Sequence, residues 1–503
     1  MPESSLPKYN LPVPCILALD EGTSSARAAL YDESGKRLAM ETAPVASAYP
    51  SSGWVEQDPV EIWRAQMAAA HRLLAQRNIP LREIAGIGIA NQRETTIVWD
   101  RKTGQPVAPA IGWQCRRTAE YCRELARSAA GSEATCKTGL VVDAYFSASK
   151  IRWILENVPE ARARAEAGEL LFGTVDTWLV WNLSDGARHV TDYTNASRTM
   201  LMDLDSGEWD DGLLRIFGVP RAMLPEICPS SGVLAETGAR HFGLEIPIGG
   251  IAGDQQAALF GQACFGAGRA KNTYGTGCFA LLHTGSHLPV SRNRLVATRA
   301  ASGQIGGEFA LEGSIFAAGA AIQWLRDQLG IIADAAETEA VARAAGNNGG
   351  VYMVPAFAGL GAPHWNPEAR GLISGLTRAT TRAHLVRAAV ESIAYQTRDL
   401  VTAMEADSGE RLTELRADGG ASANDFLMQF QADILGCPVV RPTDIETTAL
   451  GAAYLAGLAT GVWGSRDEIE AFWQAERTFE PRMSADERGS LLDGWRRAVA
   501  RCL

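Results

Sequence analysis

CILALDEGTSSARAALYD, residues 15–32, contains the features that decide the fold. An apolar run ends at Asp20, and a turn from Gly22 to Ser25 leads into a second apolar run. Glycine lets a backbone approach a phosphate closely, and Ser and Thr hydroxyls add hydrogen-bond donors. A carboxylate at the end of the preceding strand suits a metal ion that travels with phosphate. The stretch therefore predicts two strands joined by a phosphate-binding turn.

A similar pattern, LRADGGASAN, occurs at residues 415–424 and carries Asp418, Gly419, Gly420 and Asn424. We interpret it as a second strand–turn–strand. One Gly-rich turn is weak evidence, because most such turns are ordinary hairpins. Two of them, far apart in one chain, predict a nucleotide held between two similar lobes.

The length and composition indicate a multidomain globular protein. A chain of 503 residues is too long for one hydrophobic core. Strand-like runs followed by helical patterns occur in both halves, which predicts a duplicated α/β fold with lobes at 1–262 and 263–503. The net charge of −11 disfavours nucleic acid and anionic membranes as partners.

Cysteine usage and the chain start bear on location. Nine cysteines without metal-ligand spacing predict a reducing, cytoplasmic compartment. Residues 1–15 lack the basic-then-apolar order of a signal peptide. The apolar stretch 450–463 is too short for a bilayer and is predicted to be a buried helix, so no membrane insertion is expected.

Periodicity predicts the main elements along the chain. Strands are expected at 13–20, 27–32, 84–90, 94–100, 272–283, 295–300 and 308–312. Helices are expected at 59–75, 118–127 and 149–170, at about 315–329, at about 381–404 and from 465 onward.

Two segments carry candidate chemistry beside the phosphate turn. NQRETT places Arg93 and Glu94 after a buried strand, where open α/β sheets bind ligands. Together they offer donors and acceptors for vicinal hydroxyls, although a surface ion pair is the favoured interpretation of these two residues taken alone. AGDQQAALFGQ places Asp254 before a helix, where a carboxylate can take a proton from an alcohol and Gln255 can bond a hydroxyl. Asp254 as a helix N-cap is the alternative.

Further candidates are a turn, a helix start and two aromatic residues. In NTYGTGCF, Thr276 lies in a turn that is either a phosphate contact or a plain hairpin. Gly319 opens a helix with Gln323 one turn later on the same face, a spacing that helix packing also explains. Trp113 and Tyr145 offer aromatic faces that serve either the core or a ligand wall.

These segments, in this order, resemble the FGGY carbohydrate kinases of the actin/hexokinase-like ATPase superfamily. The resemblance extends from about residue 13 to about residue 480, and NQRETT with WQCRRT and AGDQQAALFGQ points to the glycerol branch over the pentulose branches. The segments are DEGTSSAR, NQRETTIVWD, WQCRRTAE, YFSASKIRWILEN, FGTVDTWL, VTDYTNASRTM, IAGDQQAALFGQ, NTYGTGCF, GAAIQWLRD, VPAFAGLGAPHW, GLISGLTR and DGGASANDFLMQFQADIL.

The resemblance implies two RNase H-like lobes with ATP and Mg²⁺ in the cleft between them, glycerol as substrate, and a homo-oligomer, either dimer or tetramer. By matching motif positions, Asp254 is expected to be the general base, and Asp20 the Mg²⁺ carboxylate. The expected glycerol contacts are Arg93, Glu94, Tyr145, Asp254 and Gln255, with Trp113 and Phe279 as an apolar wall. The expected nucleotide contacts are Thr23, Ser24, Ser25, Arg27, Thr276, Gly319, Gln323, Gly420 and Asn424.

The chain departs from the family pattern in two places. Glu21 and Ser24 stand where Gln and Thr are usual, and Ala26 replaces a Ser. The loop 236–247 lacks the Gly-Gly-Lys-Gly run that some relatives use for a sugar-bisphosphate effector. It contains His241, and phosphorylation of a His in such a loop activates some relatives, so modification of His241 is a hypothesis.

Two other functions remain open from the sequence. One is a kinase of the same superfamily that acts on another small polyol or ketose. The other is a non-catalytic member that binds a nucleotide and changes conformation. A substrate panel separates the first from a glycerol kinase, and glycerol-dependent ATP consumption separates the second.

Overall fold

Each half of the chain is built around one large mixed β-sheet. The structure is a computed structural model and describes residues 14–77, 80–303, 307–366 and 368–503. The strands of the first half are β1 Cys15–Glu21, β2 Ser25–Tyr31, β3 Arg37–Pro44, β4 Glu56–Gln57, β5 Ile84–Asn91, β6 Ile97–Asp100, β7 Ala110–Ile111, β8 Leu170–Gly173, β9 Val190–Asp192, β10 Glu226–Cys228, β11 Ser231–Glu236 and β12 Pro247–Gly253. Its helices are α1 Pro59–Arg77, α2 Ala119–Leu125, α3 Ala129–Thr138, α4 Ser147–Asn157, α5 Ala161–Glu166, α6 Val175–Leu183, α7 Tyr193–Ala196, α8 Asp211–Phe217, α9 Ala239–Phe242 and α10 Asp254–Gly261.

The second half continues with strands and longer helices. Its strands are β13 Arg269–Tyr274, β14 Cys278–Gly285, β15 Val296–Ala300, β16 Glu308–Ile315, β17 Tyr352–Val354, β18 Leu372–Ser374, β19 Glu414–Asp418, β20 Val439–Pro442 and β21 Ala475–Phe479. Its helices are α11 Gly319–Asp327, α12 Glu337–Ala344, α13 Arg382–Ser408, α14 Asp425–Leu435, α15 Thr447–Thr460, α16 Arg466–Phe472 and α17 Ala485–Cys502.

The two large sheets share one topology. The first has the order β11-β12-β5-β1-β2-β3, and the second has the order β15-β16-β14-β13-β19-β20-β21. In each, an antiparallel meander (β1-β2-β3, and β13-β14-β16) is joined on the other side of its first strand by two parallel strands (β5 and β12, and β19 and β20). This repetition confirms the predicted duplicated α/β fold.

Strand β1 is buried along its whole length, which explains its unbroken apolar run. Leu17 and Leu19 face a core that α1 and α6 complete. Ile16 and Ala18 face the opposite way, into a cluster of small residues on α15. The first sheet is therefore covered on one side by a helix from the second half of the chain.

Helices α10 and α15 cross at glycines between the two halves. A Cβ added at Gly451 would lie 1.8 Å from the carbonyl oxygen of Ala257, and one added at Gly261 would lie 2.0 Å from that of Thr447. Only glycine allows backbones this close. Because α10 begins with Asp254, the crossing fixes that carboxylate relative to both sheets.

Several predicted elements differ in detail. The segment 415–424 is a strand followed by a 3₁₀ turn (Gly420–Ala423) and α14, so the predicted second strand after the turn is wrong. The end of the chain from 465 onward is not wholly helical, because Ala475–Phe479 adds a strand at the edge of the second sheet. The buried helix predicted at 450–463 is α15.

Candidate active site

The turn between β1 and β2 is held rigidly by side chains around it. The backbone N–H of Gly22 donates to the Ser25 carbonyl oxygen at 3.0 Å. Gln57 Nε2 donates to the carbonyl oxygen of Thr23 at 2.7 Å, and Trp113 Nε1 donates to Thr23 Oγ1 at 2.9 Å. Trp113, predicted to be part of the polyol wall, thus donates a hydrogen bond to Thr23, a residue predicted to contact the nucleotide.

Asp20 and Arg27 face each other across β1 and β2 at this turn. Arg27 Nη1 lies 3.1 Å from Asp20 Oδ2 and 3.8 Å from Glu446 Oε2, which belongs to the other half of the chain. Burial raises the pKa of Asp20 to about 6, although Arg27 opposes the rise. A cation that approached Asp20 would relieve this cost of a buried negative charge.

Glu21, the next residue, is a buried carboxyl group without a hydrogen-bond partner. Its side chain is fully inaccessible to solvent, and neither carboxyl oxygen has a partner among the described residues. Burial, reinforced by the neighbouring charge of Asp20, raises the pKa of Glu21 well above its ordinary value of 4.5. The neutral acid is therefore favoured at this position.

Arg93 and Glu94 belong to a buried ionic cluster that spans the two halves. Arg93 donates through Nη1 and Nη2 to both carboxylate oxygens of Glu312, which lies on β16 of the second sheet. Arg198 Nε donates to Glu94 Oε1 at 2.6 Å, and Arg198 Nη2 lies 3.1 Å from Glu312 Oε1. Burial acts to raise the pKa of Glu312, but Arg198 and Arg93 outweigh it and lower the pKa to about 2.

The backbone at Glu94 adopts a left-handed conformation, with φ of 62°. Such a conformation costs a non-glycine residue about 1–3 kcal/mol and persists only when neighbours hold it. The carbonyl oxygen of Glu94 accepts from Ser147 Oγ and from Lys150 Nζ, each at 3.1 Å. This conformation also explains why strand β6 begins at Ile97 and not at Glu94, as predicted.

Asp254 is the first residue of α10, with Gly253 as the cap, so the predicted N-cap alternative for Asp254 is wrong. Its Oδ1 lies 3.0 Å from Arg93 Nε and accepts from the backbone N–H of Gln255 at 2.7 Å. The side chain stays 30% exposed, whereas those of Arg93 and Glu94 are almost inaccessible. A partly open carboxylate thus borders a closed ionic cluster.

Aromatic rings border the same region. The rings of Trp113 and Tyr145 pack edge to face with centroids 5.6 Å apart. Tyr145 also lies against the guanidinium of Arg198, at 5.4 Å from ring centroid to Cζ. Phe279 lies on β14 opposite Thr273 of β13. Trp113 and Tyr145 are therefore brought to the ionic cluster, and Phe279 to the adjoining strands of the second sheet.

The predicted nucleotide contacts of the second half meet where β13, β19 and α11 end or begin. The backbone N–H of Gly319 donates to the Gly275 carbonyl oxygen at 3.0 Å, beside Thr276. Gly419 has φ of 82°, and a Cβ there would lie 2.7 Å from the Tyr274 carbonyl oxygen. Thr276, Gly319 and Gly420 therefore lie at one end of the second sheet.

Two further predicted nucleotide contacts differ in how their side chains are engaged. Asn424 is already engaged, since its Oδ1 accepts from the backbone N–H of Leu427 and its Nδ2 donates to Thr338 Oγ1 at 3.1 Å. Gln323 is exposed on α11, one turn beyond Gly319. Their contact with a nucleotide stays a prediction.

Sequence reasoning missed four buried charged residues of this region. Arg198, Glu312, Lys150 and Lys271 are all inaccessible or nearly so. Three of them lie within or beside segments that carry the family resemblance, but no local pattern attached chemistry to them. Glu312 stands in an ordinary strand sequence, EFALEGSI, where a charged residue between apolar neighbours was the available clue.

No self-sufficient metal site exists within the described ranges, because no three His, Cys, Asp or Glu side chains converge there. Mg²⁺ commonly binds through one or two carboxylates together with substrate phosphates and water. Asp20, a buried carboxyl group beside the turn predicted to bind phosphate, fits that mode. Among the described residues, none of the helices combines the length and apolarity needed to cross a membrane.

The chain belongs to the FGGY family of carbohydrate kinases. The family's N-terminal domain matches residues 15–261 and its C-terminal domain matches residues 270–460. The chain is 57% identical to glycerol kinase 2 of Thermotoga maritima, over 97% of this chain and 98% of that protein. It is 58% identical to glycerol kinase of Carboxydothermus hydrogenoformans, over 97% of each. The crystal structure of Plasmodium falciparum glycerol kinase with ADP superposes with a TM-score of 0.92 at 37% identity, covering 98% of both chains.

His241, the hypothetical modification site, is packed into the first half of the chain. Its Nε2 lies 2.9 Å from Asp185 Oδ1, and its ring lies edge-on against Trp63 with centroids 5.3 Å apart. The side chain is about 10% exposed. A phosphotransfer partner would therefore have to displace this packing, and phosphorylation of His241 stays a hypothesis.

Glu312→Gln should destabilise the protein. The substitution leaves Arg93 and Arg198 buried with too little negative charge, and breaking a buried ion pair in this way costs about 3–5 kcal/mol. Urea denaturation compares the variant with Glu308→Gln on the same strand, whose partly exposed carboxylate pairs with Arg466 at 2.8 Å. The control should lose at most about 1 kcal/mol. Equal losses in both variants would contradict the role given to the cluster.

Glu21→Gln should stabilise the protein increasingly as pH rises. The pKa of Glu21 is raised in the folded state, so the folded protein binds this proton more tightly than the unfolded chain. Wild-type stability is therefore lost as pH rises from about 4.5, whereas a neutral Gln carries no such loss. Thermal unfolding at pH 5 and pH 8 tests this, with the exposed Glu226→Gln as a control. A gain that is equal at both pH values would refute the explanation.

Proposed function

We propose that this protein transfers the γ-phosphoryl group of ATP to glycerol and releases sn-glycerol 3-phosphate and ADP. The observation that carries the proposal is the partly open Asp254 carboxylate, held by Arg93 beside the buried Glu94. These residues lie in the same proposed lobe as the rigid turn between β1 and β2, which is the proposed phosphate site. Trp113 donates a hydrogen bond to Thr23 of that turn. The names of relatives that match over nearly the whole chain support the same activity.

Asp254 is the proposed general base. Glycerol is a weak nucleophile, and a positioned carboxylate that takes the hydroxyl proton typically contributes 10²–10⁴-fold to the rate. Arg93 Nε, 3.0 Å from Asp254 Oδ1, orients the carboxylate while Glu312 fixes Arg93 from the other side. Phosphoryl transfer otherwise depends on alignment and charge neutralisation, which this fixed set supplies.

The substrate contacts are proposed as follows. Arg93, Glu94 and Tyr145 bind glycerol hydroxyls together with Asp254 and Gln255, and Trp113 and Phe279 enclose its carbon chain. The turn from Thr23 to Ser25 and the cation Arg27 contact the phosphates. Thr276, Gly319, Gln323, Gly420 and Asn424 complete the nucleotide site from the second half.

Mg²⁺, carried by the nucleotide, would be held by Asp20 and would neutralise phosphate charge. Arg27, 3.1 Å from Asp20, would keep that carboxylate oriented in the absence of the ion. The charges at the turn support this role. One cation, Arg27, lies between two carboxylates, Asp20 and Glu446, so the net charge there is negative and favours a bound cation. The neutral form favoured for Glu21 keeps a further negative charge away from the phosphates.

The remaining proposals concern organisation and location. We propose lobes at residues 1–262 and 263–503, with a cleft that closes around the substrates and excludes water from the transferred group. The protein is further proposed to be cytoplasmic and to form a homo-oligomer, either a dimer or a tetramer.

Among glycerol, dihydroxyacetone, erythritol and xylulose, glycerol should give the highest kcat/KM. We expect the aromatic rings of Trp113 and Tyr145, which pack edge to face, to favour a three-carbon chain over the longer chains of erythritol and xylulose. ADP release is measured with each substrate and with none. Preference for another substrate would refute the pocket assignment. ATP consumption independent of every substrate would favour a nucleotide-binding protein that hydrolyses ATP and phosphorylates no polyol.

Asp254→Asn should lower kcat by about 10²–10⁴-fold and leave glycerol binding nearly unchanged, because the amide keeps the size but cannot take the proton. Steady-state kinetics give kcat, and calorimetry gives the glycerol affinity. Asp211→Asn, on a 69% exposed side chain, is the matched control. Full turnover in Asp254→Asn would remove its assignment as the base.

A further inference from the structure

Lys271 is a buried charged residue on the side of the second sheet that borders the proposed substrate pocket. It lies on β13 and is fully inaccessible to solvent. In the register of the second sheet, Lys271 is opposite Leu281 of β14, and Leu281 is in turn opposite Glu312 of β16. Lys271 and Glu312 thus occupy one row, two strands apart, on the face that packs against α10.

The hydrogen bonds of Lys271 go to neutral groups. Its Nζ donates to Gln255 Oε1 and to Thr273 Oγ1, the latter at 2.8 Å. No carboxylate of the described residues lies within ion-pair distance of Nζ, although Asp418, Asp254 and Glu312 are near enough to favour the charged form. Burial nevertheless lowers the pKa of Lys271. A buried ammonium with only neutral partners is costly, which requires a reason for its position.

The contact with Gln255 decides which way that amide points. An ammonium group has three donors and no acceptor, so only the carbonyl end of the amide can face it. The NH₂ end of Gln255 is therefore turned away from Lys271 and is available as a donor. Gln255 follows Asp254 at the start of α10, and Asp254 is itself near enough to Lys271 to act on its charge, so both side chains lie in the region of Lys271.

We propose that Lys271 is a positioning residue that fixes Gln255 as a hydrogen-bond donor to a substrate hydroxyl. The pocket then offers an acceptor at Asp254 and a donor at Gln255, side by side. An alcohol can satisfy both, because its O–H donates while its oxygen lone pairs accept. Without Lys271 the amide can rotate by 180° and present a second acceptor. This inference rests on the proposed phosphorylation of glycerol.

A double-mutant cycle tests whether Lys271 acts through Gln255. Lys271→Met, Gln255→Leu and the double variant are compared by kcat/KM for glycerol and by KM for ATP. Each single change should lower kcat/KM for glycerol about tenfold or more, mainly through KM, with KM for ATP within about twofold. The double variant should be no worse than the poorer single variant, because coupled residues are not additive. Additive losses would overturn the proposal.

Substrate analogues and a conservative variant separate positioning from a purely structural effect. Propane-1,2-diol and propane-1,3-diol each lack one hydroxyl of glycerol. In Lys271→Met, the preference for glycerol over one of the two diols should fall about tenfold, and Lys271→Arg, also a donor-only cation, should retain most of it. Unchanged preferences for both diols, or a rise in KM for ATP equal to that for glycerol, would overturn the proposal.

Two controls keep the outcomes distinct. Thermal unfolding establishes that each variant is folded, and Lys271→Leu, which also lacks a donor, replaces Lys271→Met in the cycle if the latter does not fold. The wild type is assayed with glycerol first. If it does not phosphorylate glycerol, the proposed function itself fails, whereas an active wild type with an additive cycle refutes only the role of Lys271.

Discussion

The site depends on charge compensation between the two halves of the chain. Arg93 and Glu94 come from the loop after β5, Arg198 from the segment after α7, and Glu312 from the second sheet. A lone buried charge is costly, whereas a paired set with hydrogen bonds is tolerated. The cluster therefore ties the formation of the proposed polyol pocket to the association of the halves, because Arg93 lacks its bidentate partner unless β16 is in place.

The crossing of α10 and α15 supplies the geometry that this compensation needs. Glycines at the contact bring the two backbones together, so α10 is held against both sheets at once. Asp254 and Gln255 at its start are then set relative to Arg93 on one side and Lys271 on the other. The proposed base and the proposed donor, on a rigid helix terminus, are placed more precisely than they would be on a free loop.

The departures of this chain from the family pattern become intelligible near the phosphate turn. Ser24 remains exposed with its hydroxyl free to serve the turn, so loss of the Thr methyl removes little there. Glu21 is different, because it replaces a neutral amide with a carboxyl group that burial keeps neutral. A neutral Glu21 adds no charge beside the proposed phosphate site. The substitution of Gln by Glu is therefore expected to change how stability depends on pH, and not the charge around the phosphates.

The sequence by itself determined the duplicated α/β fold and the order of its motifs. It also determined the residues that stand at the turns, including Asp20, Arg93, Glu94 and Asp254. These follow from local patterns, since strand periodicity, glycine turns and helix starts are properties of short segments. Only the tertiary structure decided the partners of those residues. Arg93 and Glu312 are 219 residues apart, and no local pattern records which strand register will set one against the other. The same holds for Lys271 and Gln255, because donor direction in a buried amide depends on the group that packing places opposite it.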